Sequence, residues 1–207
     1  MIRSVWFDTK EVYPSKVVCV ARNYLSHIKE LGNTVPEQAV FFIKPNSAIS
    51  HDLVLPADGI VAYEAEIAFL IRDNVIFGVG FGLDLTKRDV QAALKTKGLP
   101  WERAKAFDGA AVLSPFVPFN GDITGLSLRL SINGDVVQQG GVADMINSPT
   151  TLLIEAKTFL SFEDNDILMT GTPEGVGLVK AGDRFLGQIF QGDVLVVEQD
   201  WLVGTAV

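Results

Sequence analysis

The stretch AYEAEIAFLI, residues 62–71, sets Glu64 and Glu66 one residue apart inside an apolar run. On a β-strand, residues i and i+2 project to the same side. Read as a strand, this stretch puts both carboxylates on one face with Ala62, Ala68 and Leu70, and Val61, Tyr63, Ala65, Ile67 and Phe69 on the other. Two carboxylates held roughly 7 Å apart, about two strand rises, repel each other in a poorly solvated place. They need a shared proton, a basic partner or a cation. A solvated edge-strand face is the alternative, and the apolar neighbours on the glutamate face weigh against it. Asp84, in GFGLDLTKRD, reads as a strand end just before a helix start, where functional groups gather. A local turn aspartate is the plain alternative. Three carboxylates with no rich His or Cys cluster suit a hard cation, Mg2+, Mn2+ or Ca2+, better than zinc.

The chain has two histidines, His27 and His51, so an imidazole acting near neutral pH is one of them. His27 lies in NYLSHIKELG with Glu30 three residues on. In a helix these two meet, and Glu30 can hold the ring and raise its basicity; a chance pairing on an exposed helix is the alternative. His51 has a turn-like setting and reads as structural or exposed. Lys105, among Ala104, Ala106 and Phe107, is either partly desolvated or snorkelling at the surface. Arg88 and Gln91 lie one turn apart and can point together at a carboxylate, or can belong to a solvated face. TGTPEGVG, residues 170–177, lacks the Gly-Lys-Ser/Thr of a phosphate loop. As a tight turn it can still offer backbone N–H groups and the Thr172 hydroxyl to an anion. Cys19, in KVVCVARN, reads as a buried, inert thiol.

The elements that position these groups are mostly strands. KVVCVA, AVFFIK, YEAEIAFLI, NVIFGVGFGL, LSLRLSI, DVVQQ, DILMTG, RFLGQIF and DVLVVEQDW are short runs separated by turn residues. Asn133-Gly134 between two of them is a strong hairpin signal. The segment from Lys180 to the C-terminus reads as a run of antiparallel strands. Helices are fewer. LTKRDVQAALKTKG predicts one with Thr86 as N-cap and a stop at Gly98. NSPTTLLIEAKTFL predicts another with Ser148 as N-cap and Pro149 first, and NYLSHIKELG a shorter one ending at Gly32. One α+β domain, mainly β, spanning 1–207 is the economical reading.

Bulk composition narrows the partners. The net charge of −8 over 207 residues argues against nucleic acid. MIRSVWFDTK has no apolar leader, and no apolar run approaches the ~20 residues of a membrane helix. A lone cysteine fits a reducing compartment. The expectation is a cytoplasmic protein without nucleic-acid or membrane partners.

Taken together, ARNYLSHIKE, FFIKP, YEAEIAFLI, LDLTKRDVQ, KGLPWERAKAFD, ADMI and LMTGTPEGVG resemble, in order and spacing, the fumarylacetoacetate hydrolase family over nearly the whole chain. The resemblance implies a mixed β-sandwich roll with few helices, of the family's C-terminal-domain type, and a homodimer. It implies Mg2+, or Mn2+ or Ca2+, held by Glu64, Glu66 and Asp84. It implies His27 and Glu30 as a base dyad on a lid, Lys105 facing the substrate, and Arg88, Gln91 and Thr172 in contact with it. The chain lacks the extra N-terminal domain of longer members, and CVARNY lacks a further aspartate that the founding hydrolases place near the metal. Both departures resemble the short acylpyruvate hydrolase and oxaloacetate decarboxylase or tautomerase branch. The main expectation is therefore C–C hydrolysis of acylpyruvate-type 1,3-dioxo acids. The alternative is an oxaloacetate decarboxylase or tautomerase, or an isomerase of the 2-hydroxyhepta-2,4-diene-1,7-dioate type. A metal-dependent binding protein without turnover is a third. The substrate in every catalytic case is a small 2-oxo acid.

Overall fold

The computed structural model describes residues 2–205. Its largest element is a mixed sheet with strand order Val40–Pro45, Lys16–Ala21, Ile167–Met169, Ala65–Arg72, Val75–Asp84, Ala111–Leu113 and Ile49–Ser50. Val117–Pro118 pairs beside Val75–Asp84. A four-stranded antiparallel sheet, ordered Asp135–Gly141, Leu126–Ile132, Arg184–Gln191 and Val194–Leu202, packs against it. The expected mainly-β roll is the fold observed.

The two-residue alternation in the sequence decides which sheet face each side chain meets. Ala65, Ile67, Phe69 and Ile71 point into the core shared with Leu126, Leu128, Leu130, Phe185 and Ile189 of the second sheet. Ala68 and Leu70 point the other way, into a smaller cluster with Val17, Cys19 and Ile167. Each fully buried Ile, Leu or Phe contributes about 1.5–3 kcal/mol. One close approach fixes how the sheets meet. Phe81 fills the space over Gly187, where a Cβ would lie 2.6 Å from the ring. Cys19 is fully buried, and burial, with the charge of Asp84 next, pushes its thiol well above the ordinary range.

Strand polarity brings the chemistry together. Ala65–Arg72 runs antiparallel to Val75–Asp84 and to Ile167–Met169, and Ile167–Met169 runs parallel to Lys16–Ala21. The first strand therefore begins at the sheet edge where the other three end. Glu64 and Glu66, Asp84, the 170–177 turn and the approach to His27 all meet there.

The local elements largely follow the sequence. Asn133 and Gly134 both have positive φ, 53° and 93°, as the two-residue hairpin requires. Ser148 Oγ accepts from Thr151 N–H at 3.1 Å at the head of helix Pro149–Ala156. The helix Leu25–Glu30 is followed by Gly32 at φ 62°. Three points differ. The run at 62–71 is not one strand: it breaks at Glu64, and Val61–Tyr63 pairs instead with Thr86–Lys87 and Gly177–Leu178. Thr86 is not a helix cap; the helix is Arg88–Thr96, its N-cap is Lys87, and Thr86 is a buried strand residue. The C-terminal run is antiparallel only as far as Leu202, since Gly204–Thr205 pairs parallel with Val54–Leu55; residues 206–207 lie outside the described residues. Among the described residues, no helix is long and apolar enough to cross a membrane.

Candidate active site

Glu64, Glu66 and Asp84 each offer an oxygen, and these oxygens lie within 4.8 Å of one another. All three residues are buried. The break at Glu64 and the end of the Val75–Asp84 strand are tied by Asp84 N–H donating to the Glu64 carbonyl at 2.8 Å. That bond holds the carboxylates of two adjacent segments of the chain close together.

Two lysines enter this acidic pocket. Lys105 closes the short helix Glu102–Lys105 and is 3% exposed. Its Nζ donates to Glu64 Oε2 at 2.8 Å, Asp84 Oδ2 at 2.7 Å and Thr86 Oγ1 at 2.6 Å. Burial works to lower its pKa, but the Asp84 and Glu64 carboxylates outweigh it and hold the ammonium above the ordinary lysine range. Burial likewise works to raise Glu64, and the Lys105 charge outweighs it, holding that carboxyl at about 2. Lys44, fully buried, comes from the strand Val40–Pro45. Its Nζ lies 2.9 Å from Asp84 Oδ1 and donates to the backbone carbonyls of Leu85 and Lys105.

Glu66 has no such partner. Its Oε2 accepts from Gly171 N–H at 2.7 Å. Burial, and then the charge of Asp84, pushes its carboxyl well above the ordinary range. Asp84 Oδ1, although near Lys44, has no aligned hydrogen bond. A buried carboxylate without a basic partner, Glu66, with oxygens of Glu64 and Asp84 converging beside it, is what an oxygen-ligated divalent cation would satisfy. The residues present fit such an ion.

The dyad faces this cluster. His27 is 6% exposed, and its Nδ1 lies 3.1 Å from Glu30 Oε2. Glu30 is held in turn by Gly175 N–H, which donates to Oε1 at 3.0 Å. The 170–177 turn therefore does offer N–H groups to anions, and the anions are two carboxylates of the chain itself, Glu66 and Glu30. Gly171 and Gly175 have φ of 92° and 96°. A Cβ at Gly175 would lie 2.0 Å from the Val137 carbonyl oxygen, so only glycine lets the turn close this way.

A cavity of about 30 Å³ brings together His27, Glu64, Glu66, Arg88, Gln91, Lys105 and Thr172. Glu30 stands behind His27, and Asp84 lies beneath Lys105. The residues given a site role in the sequence thus converge, while Cys19 lies in the smaller apolar cluster and His51 is exposed. Lys44, Thr86 and Arg22 were not anticipated. Lys44 carried a signal: a lysine inside the apolar strand FFIKP, the same oddity that marked Lys105. Thr86 carried none beyond its resemblance to a cap.

Residues 16–203 match the fumarylacetoacetate hydrolase C-terminal domain. The chain is 45% identical over 191 residues to oxaloacetate tautomerase YcgM of Escherichia coli K12, covering 83% of this chain and 87% of that one. It is 36% identical over 188 residues to the mitochondrial oxaloacetate tautomerase oaa1 of Schizosaccharomyces pombe, covering 81% and 85%. The crystal structure of fumarylpyruvate hydrolase from Pseudomonas aeruginosa in complex with Mn2+ and pyruvate superposes with a TM-score of 0.90 at 28% identity, covering 99% of this chain and 96% of that one. The chain belongs to the fumarylacetoacetate hydrolase family.

Proposed function

We propose that this protein is a divalent-cation-dependent oxaloacetate tautomerase, interconverting the enol and keto forms of a four-carbon 2-oxo acid. The observation that carries this reading is the 45% identity to a relative named for that activity, against 28% to a fumarylpyruvate hydrolase. Acylpyruvate hydrolysis, the main expectation from the sequence, is the less supported of the two. The binding protein without turnover is disfavoured by the buried dyad and lysine, which a passive site does not need.

Glu64, Glu66 and Asp84 would hold the cation, Mg2+ or Mn2+. When bound, such an ion supplies Lewis-acid stabilisation of negative charge on the substrate's carbonyl oxygen. The remaining work belongs to the chain. Arg88, Gln91 and Thr172 bind and orient the carboxylate and carbonyl end. Glu30 accepts from Nδ1–H of His27, which leaves Nε2 as the free base. From the keto form, His27 Nε2 takes a proton from C3, and a proton returns to the C2 oxygen to give the enol; the reverse path runs through the same atoms. Lys105 adds a fixed positive charge beside the oxygen on which negative charge develops. The cavity has room for about one water. The Leu25–Glu30 segment carries His27 to the cavity wall, and its closing over a bound acid would exclude bulk water from the proton transfer.

The test is a substrate panel with Mg2+: enol and keto oxaloacetate, acetylpyruvate and fumarylpyruvate. Fast enol–keto interconversion with little pyruvate released from the acylpyruvates is the expected result. Stoichiometric pyruvate and free acid from an acylpyruvate, at a rate above interconversion, would replace this reading with the hydrolase.

A further inference from the structure

Arg22, Arg88 and Lys95 line the cavity beside Trp101. Among the described residues, none of the three lies within ion-pair distance of an Asp or Glu. Arg88 has its role at the 2-oxo acid end of the substrate. Arg22 and Lys95 are left over.

Lys95 Nζ stands over the Trp101 ring, 5.3 Å from its centroid. Partial burial, and then the charge of Arg22, hold this ammonium below the ordinary lysine range; Glu64 opposes them, and Lys105 and Arg88 add to them. Gathering like charges costs free energy unless an anion joins them. Arg22 bears a second cost. Its φ is 60°, a conformation that glycine adopts freely and an arginine does not. The backbone is pinned on both sides. Ala21 ends the strand Lys16–Ala21. Asn23 Nδ2 donates to the carbonyls of Asn147 and Thr170 at 2.9 Å each, and its Oδ1 accepts from Asn147 N–H at 2.9 Å. A side chain held in strained backbone at a cavity wall is a mark of a functional position. A guanidinium can grip a carboxylate through two parallel hydrogen bonds.

We propose that Arg22 and Lys95 clamp the second carboxylate of a dicarboxylic 2-oxo acid, so that the site selects four-carbon diacids over acids that lack the terminal carboxylate. The inference rests on the proposed function for where the 2-oxo acid end sits. Trp101 is the wall against which Lys95 is held, and the pinned Asn23 keeps Arg22 in place while the lid helix that follows it moves.

The test is calorimetric titration of the Mg2+-loaded protein with L-malate and with L-lactate, 2-hydroxy acids that differ only by the terminal carboxylate. The wild type is expected to bind malate tighter by about 10–100-fold, the range for charge-assisted hydrogen bonds. Lys95→Met keeps the contact with Trp101, and Arg22→Asn suits the left-handed backbone. Each should cut the preference by about 10-fold and leave lactate affinity nearly unchanged, and Lys95→Arg should restore it. Equal binding of the two acids by the wild type, no measurable binding of malate, or equal weakening of both acids in the variants would overturn the clamp. The readout needs no turnover. A protein that prefers malate but does not tautomerise oxaloacetate would refute the proposed function and leave the clamp standing.

Discussion

Replacing Lys105 with methionine removes a buried charge and keeps most of the side-chain volume. In the metal-free protein this ammonium is the counter-ion of Glu64 and Asp84, at 2.8 and 2.7 Å. Its loss strands two buried carboxylates, beside a third, Glu66, that has no cation of its own. Removing one partner of a buried ion pair costs about 3–5 kcal/mol. For a chain of this length 1 kcal/mol moves Tm by about 2–4 °C, so the expected fall is about 6–20 °C in chelator. A divalent cation at the triad replaces the lost charge. The wild type gains from the cation too, but its Lys105 already neutralises Glu64 and Asp84, so the cation binds the variant more tightly, and each tenfold difference in Kd returns about 1.4 kcal/mol of the deficit. Calorimetric melting of the wild type and Lys105→Met, each in EDTA and in saturating Mg2+, reads both effects. A large deficit in EDTA that shrinks in Mg2+ is the expected pattern. The same deficit under both conditions would mean that the lysine stem acts by packing alone, and would refute the reasoning about charge.

Further outcomes follow from the same geometry. His27→Ala should lower enol–keto interconversion by about 10²–10⁴-fold, the usual value of a positioned base, and Glu30→Gln should show a milder loss; steady-state assays check both. Gly175→Ala should disturb the turn that holds Glu30, at a cost of about 1–3 kcal/mol from forced overpacking, read by urea denaturation together with activity. In chelator, Glu64 contributes stability that is complete above its ordinary value of 4.5 and is lost as pH falls through about 2. Glu66 has the opposite sign, because its folded pKa is raised: its contribution is complete below 4.5 and is lost as pH rises. Metal-free Glu66→Gln should therefore gain stability over the wild type between pH 5 and 8, which urea midpoints across that range would show. Amides of residues 23–36 should gain hydrogen-exchange protection when oxalate and Mg2+ are added; equal protection with and without them would contradict a closing lid.

Much of this arrangement was legible in the residues because it rests on local periodicity. The two-residue alternation around Glu66 sorted Ile67 and Phe69 from Ala68 and Leu70, and the sheet keeps that division. Asn133-Gly134, Ser148-Pro149 and the His27–Glu30 spacing are likewise local signals with local outcomes. The misreadings come from contacts distant in sequence. The run at 62–71 breaks at Glu64 because Val61–Tyr63 finds partners at Thr86–Lys87 and Gly177–Leu178, which alternation within the strand does not report. Thr86 has the residue type of a cap, but its hydroxyl is taken by Lys105 and Glu64. Lys44 reaches Asp84 and the Lys105 carbonyl from 40 and 61 positions away, and Arg22 gains meaning only from a φ of 60°.

In the proposed function the carboxylate triad and the His27 dyad together interconvert enol and keto oxaloacetate. Decay of freshly dissolved enol-oxaloacetate, followed by its ultraviolet absorbance, tests that claim directly. The Mg2+-loaded wild type should accelerate the decay far above buffer, and EDTA, Glu66→Ala and His27→Ala should each bring it close to the uncatalysed rate. A wild type that leaves the decay at the buffer rate while Mg2+ is bound, or a Glu66→Ala variant as fast as the wild type, would contradict it.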